Sequence, residues 1–170
     1  MLSLTHDMNA KDYKDKVYRI IGAAMEVHRN LGGGLLEPVY NEALVMELAD
    51  RGLNGNPEQY LPCYYKKRLM KKYYKMDIVA DDIVIELKSV RKLISAHRAQ
   101  LFNYLRLTRQ PIGLLINFGG ESLQGERYAY DDETNTCYLL DRYMEPVSIE
   151  EEDEDDEWYE DPYADVKVEA

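Results

Sequence analysis

Residues 73–90 constrain the fold of this chain more than any other segment, because they predict two strands joined by a tight turn. Apolar runs lie on both sides of Asp81 and Asp82, which would form a two-residue loop. The resulting register pairs Ala80 with Ile83, Val79 with Val84 and Ile78 with Ile85. It then places Asp77 opposite Glu86, whereas a slip of one residue would send these two acids to opposite faces. We therefore expect a hairpin with two facing carboxylates.

Two facing carboxylates are costly unless a cation lies between them. Directly opposed residues of an antiparallel pair have β-carbons about 4.5–5.5 Å apart, and like charges at that separation are destabilising. Lys88 shares the face of Glu86, because side chains alternate along a strand. A divalent cation would make the interaction favourable. The alternative is a surface Glu-Lys pair on a half-exposed strand, which contributes little.

The negative charge of the chain is concentrated at its C-terminal end. The formal net charge is −11, but residues 145–170 hold thirteen acidic residues and one lysine. The remaining nineteen acidic and twenty basic residues give residues 1–144 a net charge of +1. The acidic block 150–157 predicts a disordered tail, because like charges repel and cannot bury enough apolar surface. This tail is either a solubilising appendage or a polyanion mimic that folds back over basic residues of the chain.

The length of 170 residues and a hydrophobic content of 45% fit one domain with a core. We predict an N-terminal extension (1–15), a folded domain (16–144) and an acidic disordered tail (145–170). Cys63 and Cys137 have no partner at metal-ligand spacing and are expected to be reduced thiols. The chain shows neither a secretory signal nor an apolar run of membrane-spanning length. These features predict a cytoplasmic protein without a membrane partner.

The spacing of apolar residues predicts the order of the elements. A first helix ends at glycines 32–34, a second runs from Glu37 or Pro38 to Asp50, and a third covers residues 96–108. Strands are predicted over residues 59–65, 69–80, 83–90 and 111–118, with edge strands over 128–130 and 136–140. The order is therefore helix, helix, three-stranded meander, helix, strand.

This order resembles the core of the PD-(D/E)XK nuclease superfamily, and residues 34–40 are similar to the name motif of its GxxExxY protein family. The similarity continues over residues 26–28, 51–53, 86–88, 100–104 and 113–118, and spans about residues 17–130. The resemblance implies an α+β (α/β) fold with a restriction-endonuclease-like core. In such a core, helices flank a central mixed β-sheet that contains an antiparallel meander.

The resemblance also implies a metal site for phosphodiester hydrolysis. Asp77 and Glu86 would be the main ligands of Mg²⁺ or Mn²⁺, with the backbone carbonyl of Leu87 as a further oxygen. Lys88 would position or help to deprotonate the attacking water and stabilise the transition state. Glu37 would add a carboxylate from the second helix. Its alternative role is to compensate the helix dipole, which contributes about 0.3–1 kcal/mol.

Further candidates border this site. Gln100 and Tyr104 lie four residues apart on one helical face and resemble the Gln-x-x-x-Tyr pair of RecB-type nucleases, which touches DNA or orients catalytic groups. The alternative is a partly buried helix face with Tyr104 in the core. His28 and Tyr40 are accessory candidates, although His28 fits a core histidine on the apolar stripe equally well.

A basic and aromatic segment, residues 64–75, favours contact with nucleic acid. Lysines and arginine suit phosphates and tyrosine rings suit bases. The predicted contacts are Lys66, Lys67, Arg68, Lys71 and Lys72. The alternative is a solvated hairpin whose lysines protect a sheet edge from mispairing.

Two classes of function fit the sequence. The first is a metal-dependent nuclease that hydrolyses phosphodiester bonds, with DNA as the expected substrate. The second is a catalytically inactive module that keeps the nuclease fold to bind nucleic acid or a protein partner. The intact set of Asp77, Glu86 and Lys88 favours the enzyme, because a module without catalysis need not keep opposed acids.

Overall fold

The computed structural model describes residues 9–147 and 168–169. A short 3-10 helix (Ala10–Tyr13) precedes three helices and seven strands. The helices are α1 (Lys14–Leu31), α2 (Glu37–Asp50) and α3 (Ser95–Thr108). The strands are β1 (Gly55–Tyr65), β2 (Arg68–Ala80), β3 (Ile83–Lys88), β4 (Ile112–Asn117), β5 (Gln124–Asp131), β6 (Thr136–Leu140) and β7 (Val168–Glu169). Among the described residues, no helix is long and apolar enough to cross a membrane.

The strands form one mixed sheet in the order β1-β2-β3-β4-β5-β6, and β7 pairs with β2 outside this path. The β1-β2-β3 meander is antiparallel, β3 and β4 run parallel, and β5 and β6 continue antiparallel. Parallel neighbours require a crossover connection, and α3 supplies it between β3 and β4. This architecture confirms the predicted α+β fold with a restriction-endonuclease-like core.

Helices cover both faces of the sheet. One core contains residues of α1 and α2 together with Ile78, Ile85 and Leu87 of the sheet. The other contains residues of α3 together with Val84 and Leu115. All six residues of β3 and all six of β4 are buried. Strands that are covered on both faces do not alternate between apolar and polar residues, which explains their largely apolar character.

The close approach of α3 to β4 depends on Gly113. A β-carbon at this position would lie 2.9 Å from a methyl group of Leu101 and 2.9 Å from one of Leu105. Any other residue would push α3 away from the sheet. The position of the α3 side chains next to β3 therefore depends on this glycine.

The predicted turn and three predicted pairs between β2 and β3 are confirmed, whereas the ladder does not include the expected pair of Asp77 with Glu86. Ala80 pairs with Ile83, Val79 with Val84 and Ile78 with Ile85. Asp81 adopts a φ of 53°, a left-handed conformation that aspartate tolerates better than most residues. Its carboxylate accepts a bond from Lys16 Nζ at 2.5 Å, and Asp82 accepts one from the Tyr13 hydroxyl at 2.5 Å. Contacts from the start of α1 therefore hold a turn that lacks glycine.

Two boundaries differ from those in the sequence prediction. The β1-β2 turn consists of Lys66 and Lys67, both with positive φ, so Arg68 already lies in β2. Tyr13 falls in the predicted extension but is buried in the core next to α1. Residues 1–8 and the acidic block 150–157 of the predicted disordered tail lie outside the described residues. The two described residues of the tail end, 168–169, form β7.

Candidate active site

The site begins where β2 and β3 separate. Their ladder ends at the pair Ile78 and Ile85, one residue before Asp77 would align with Glu86. Instead of facing a ladder partner, Asp77 accepts a hydrogen bond on Oδ2 from the backbone N–H of Leu87 at 2.7 Å. The carboxylate of Asp77 therefore lies in the gap that opens between the two strands.

The backbone carbonyl of Leu87 points into the same gap. The carbonyl of the next residue, Lys88, accepts a bond from the N–H of Phe118 at 2.8 Å, so the backbone groups of Lys88 point towards β4. Peptide groups of successive residues in a strand point to opposite edges. The N–H and C=O of Leu87 therefore both point towards β2, and the carbonyl lies on the side of Asp77.

Glu86 and Lys88 are buried on the α3 face of the sheet. Glu86 is 0% exposed and Lys88 is 1% exposed. Lys88 Nζ donates to Oε1 of Gln100 on α3 at 3.0 Å. Gln100 Nε2 in turn donates to the hydroxyl of Tyr104 at 3.1 Å. Gln100 therefore contacts Lys88 directly, and Tyr104 is linked to it through Gln100.

Tyr104 joins α3 to β2 beside Asp77. Its hydroxyl lies 3.4 Å from the carbonyl oxygen of Lys75, and its ring meets that of Tyr74 edge-on at 5.9 Å. Burial raises the pKa of the Tyr104 phenol above its usual range, and the charge of Asp77 raises it further, although the bond from Gln100 opposes this shift. The phenol therefore stays protonated at neutral pH.

Two hydrogen bonds bracket the position of Glu37, the first residue of α2. The carbonyl of Leu35 accepts a bond from Ser89 Oγ, one residue after Lys88. One helical turn after Glu37, Asn41 Nδ2 donates to the carbonyl of Asp77 at 3.2 Å. Residues four apart share a helix face, so Glu37 lies on the same side of α2 as Asn41, the side that faces β2 at Asp77. Its side chain is half-buried.

Tyr40 holds the loop that leads to Glu37. Its hydroxyl donates to the carbonyl of Gly32 at 2.5 Å and accepts a bond from the N–H of Leu35 at 3.0 Å. Its ring stacks on Phe118 with a centroid distance of 4.5 Å. Tyr40 is buried, and its contacts are with the loop and the core.

His28 lies apart from the acids. Its Nε2 is 2.9 Å from the carbonyl oxygen of Gly120, in the loop after β4. The same loop packs closely on the glycines after α1, because a β-carbon at Gly33 would lie 2.4 Å from that oxygen. The described contacts of His28 are those of a residue that joins α1 to this loop.

The basic residues of the β1-β2 hairpin are exposed but distant from the acids. Lys66 and Lys67 form the tip of the hairpin. Ten residues separate Lys67 from Asp77, which corresponds to roughly 33 Å along an extended strand. Arg68, Lys71 and Lys72 lie between them on β2. The structure thus presents these predicted contacts as a basic arm and not as part of the acid site.

The donor set near Asp77 is composed of oxygens, which suits hard divalent cations such as Mg²⁺. Within the described residues, no group of three or more His, Cys, Asp or Glu side chains is close enough to hold a metal ion. A metal at this site would therefore rely on Asp77, Glu86 and the carbonyl of Leu87, with water in its other positions. Mg²⁺ commonly keeps several waters in protein sites, so this donor set fits such an ion.

Three positioning residues were missed at the sequence level. Asn41 connects α2 to β2, and Ser89, just after β3, bonds to Leu35 in the loop before α2. Asn117 is buried at the end of β4, where its amide exchanges two bonds with the backbone of Val90, at 3.0 and 2.9 Å. Asn41 could have been found, because it lies four residues after Glu37 on a predicted helix. No spacing pattern marks Ser89 or Asn117, whose partners are distant in the sequence, as is the partner of Asn41.

The fold is that of a restriction-endonuclease-like core. The chain belongs to the PD-(D/E)XK nuclease superfamily, which it matches over residues 14–128, more than half of its length. No curated protein and no solved structure matches the chain significantly. Membership suggests a nuclease that binds nucleic acid, and nucleases of this superfamily generally depend on a divalent metal. The assignment to the GxxExxY family stays a prediction.

Proposed function

We propose that this protein hydrolyses phosphodiester bonds in DNA with the help of Mg²⁺ or Mn²⁺. The observation that carries the proposal is the separation of β2 and β3 at Asp77. It brings the carboxylate of Asp77 on β2 and the backbone of Leu87 on β3 to one gap. Glu86 and Lys88 are the neighbours of Leu87 on β3.

Each residue has a distinct role in the proposed reaction. Asp77, Glu86 and the carbonyl of Leu87 would hold the metal, and Glu37, the first residue of α2, would add a further carboxylate. The bound ion supplies Lewis-acid stabilisation of negative charge on the phosphate. Lys88, which donates to Gln100, would position the attacking water or help to deprotonate it, and would stabilise the charge that develops on the phosphate. Water and the phosphodiester are consumed, and a phosphomonoester and an alcohol are formed.

The long β1-β2 hairpin supports nucleic acid as the substrate. Its basic residues can contact several phosphates along a strand or duplex, and its exposed tyrosines offer faces for bases. Tyr64 and Tyr65 are both exposed close to the tip. DNA is the expected substrate from the resemblance found in the sequence. The cytoplasm, where thiols stay reduced, is its proposed compartment, and Cys63 and Cys137 are both free.

The test is a cleavage assay on single- and double-stranded DNA and RNA with Mg²⁺, Mn²⁺ or a chelator. We expect metal-dependent cleavage of DNA that Asp77→Asn and Lys88→Met abolish. Glu42→Gln, an exposed acid on α2, is the matched control and should leave activity unchanged. Cleavage that persists in both site variants would place the chemistry elsewhere.

A second candidate function is a binding module with the same fold and no catalysis. It is favoured by one observation, namely that the described part of the chain contains no cluster of three metal-ligating side chains. A melting experiment separates the two candidates. For the enzyme, Mn²⁺ at 100 times its dissociation constant should stabilise the protein by about 2.7 kcal/mol, and Asp77→Asn should remove this effect. A binding module would bind DNA with no response to the metal.

A further inference from the structure

The described end of the chain, β7, lies on the free edge of the hairpin. Tyr73 of β2 pairs with Pro62 of β1 and also with Glu169 of β7. Because a strand has only two hydrogen-bonding edges, β7 occupies the edge on the β3 side. Tyr73 lies four residues before Asp77, or about 13 Å along the strand. The end of the chain is thus bound between the basic tip and the acid site.

The charges of the two segments are opposite. Residues 59–76 of the hairpin contain six basic residues and no acidic one. Residues 148–170 contain twelve acidic residues and one lysine, a net charge of −11. Opposite charges attract over about 10 Å at 0.1 M salt, so a segment anchored on the hairpin edge experiences this attraction.

The chain is long enough for the acidic block to lie against the hairpin. Val147 donates a backbone bond to the carbonyl of Leu139 on β6, which fixes one end of residues 148–167. The pairing of Val168 with Tyr74 fixes the other end. Four strand spacings separate β6 from β2, which is about 19 Å. Twenty residues can span up to about 65 Å. The excess length allows residues 150–157 to reach the basic arm.

From these observations we propose that the C-terminal segment 148–170 docks on the basic β1-β2 hairpin of the same chain and competes there with nucleic acid. β7 provides the backbone anchor, and the acidic residues occupy the positions of phosphates along the lysines. The docking depends only on the hairpin and the segment. The competition also rests on the proposed function, because it requires the hairpin to bind nucleic acid.

Trp158 is the only tryptophan of the chain and reports docking without any nucleic acid. The measurement is acrylamide quenching of its fluorescence in the full-length protein at low salt. We expect the double variant Lys71→Glu with Lys72→Glu to raise the quenching constant about twofold, as should 0.5 M salt, because screening weakens charge attraction. The control is Lys14→Glu with Lys92→Glu, two exposed lysines outside the hairpin, which should leave it unchanged. Equal quenching in all proteins would overturn the docking.

The anchor is tested separately from the charge. Val168→Pro removes a backbone N–H from β7 and should disrupt its pairing with β2, whereas Ala164→Pro lies outside the paired residues. We expect Val168→Pro alone to raise both the quenching of Trp158 and the affinity for DNA. Equal effects of the two variants would mean that the tail acts as diffuse charge, which overturns the proposal of a docked segment.

Competition is measured as the affinity for labelled DNA in the presence of a chelator, which prevents cleavage. Replacing the eight acidic residues 150–157 by glutamine or asparagine should tighten binding about tenfold at 50 mM salt, because an intramolecular competitor acts at millimolar effective concentration. An unchanged affinity, including no detectable binding by either protein, would overturn the competition. Protection of Trp158 together with absent cleavage would instead count against the proposed function alone.

Discussion

At the scale of single residues, the site depends on how a buried lysine is held. Lys88 is almost fully buried, and its ammonium group donates to the neutral amide oxygen of Gln100. Gln100 is itself fixed by Tyr104, which is buried between α3 and β2. A flexible lysine side chain thus has a defined position without a carboxylate on α3. Gln100 therefore acts as a positioning residue for Lys88 in the proposed reaction.

Replacing Gln100 should lower the rate of the reaction and leave substrate binding intact. Gln100→Leu removes the acceptor of Lys88, and misplacement by about 1 Å can cost about 100-fold in rate. Gln100→Glu keeps an oxygen at the same position and should retain most of the activity. The measurement compares kcat and KM of both variants with those of Lys88→Met. Equal losses in Gln100→Leu and Gln100→Glu would contradict the positioning role.

The hydroxyl of Tyr40 should contribute to stability through the loop that presents Glu37. Tyr40→Phe keeps the ring on Phe118 but removes both the bond to Gly32 and the bond from Leu35. Because Gly32 and Leu35 lie in an exposed loop, each lost bond should cost about 0.5–1.5 kcal/mol. Urea denaturation of Tyr40→Phe should show this loss in the free energy of unfolding. Tyr18→Phe, at a tyrosine that is 76% exposed, should show no such loss. Similar free energies of unfolding for the two variants would contradict a stabilising role of the Tyr40 hydroxyl.

At the scale of elements, β2 serves two purposes along its length. Its last residues pair with β3 and belong to the core, whereas the residues before Asp77 have left β3 and continue with β1 towards the exposed basic tip. Asp77 and Glu86 are the first residues beyond the point where β2 and β3 separate. The pattern of Asp81-Asp82 between apolar runs was sufficient to predict the register. It could not reveal the separation, because that depends on the pairing of β3 with β4 and on the contact of Tyr104 with β2.

The basic arm should make the affinity for DNA dependent on salt in proportion to its lysines. Each phosphate contact contributes about 0.9 to the slope of log K against log salt for a duplex. Lys71→Gln and Lys72→Gln should each reduce this slope by about one. The measurement is fluorescence anisotropy with a chelator, in the protein with residues 150–157 neutralised so that the tail does not compete. Lys14→Gln on α1 is the control, and a loss of slope in it similar to that of the arm variants would contradict the assignment.

At the scale of the whole molecule, the sequence predicted the architecture better than the contacts between layers. The periods of α1, α2 and α3 and the apolar runs of β3 and β4 are local signals, so the order of elements followed from them. The bonds of Asn41 to Asp77 and of Ser89 to Leu35 join residues that are far apart in the sequence. The pairing of β7 with β2 depends on the edge that β3 leaves free, which no local pattern records.

The packing of helices on both faces also buries tyrosines, and this should make the protein less stable at high pH. Burial is the main cause that raises the pKa of Tyr13, Tyr104 and Tyr128, and neighbouring carboxylates at Asp82, Asp77 and Glu126 add to it. In the unfolded chain these phenols lose their protons near pH 10, whereas in the folded protein they keep them. The unfolded state then binds fewer protons, so the stability that is present below pH 10 decreases as the pH rises above it.

Each such group should lower the free energy of unfolding by about 1.4 kcal/mol per pH unit above pH 10. Tyr104→Phe removes one group, so its stability should fall less steeply between pH 10 and 11.5 than that of the unaltered protein. Urea denaturation across this range gives the slopes, and the difference isolates Tyr104 from lysines that titrate in the same range. Tyr64→Phe, at a tyrosine that is 62% exposed, should reproduce the slope of the unaltered protein. Parallel curves for Tyr104→Phe and Tyr64→Phe would show that the buried phenol does not carry the alkaline loss of stability.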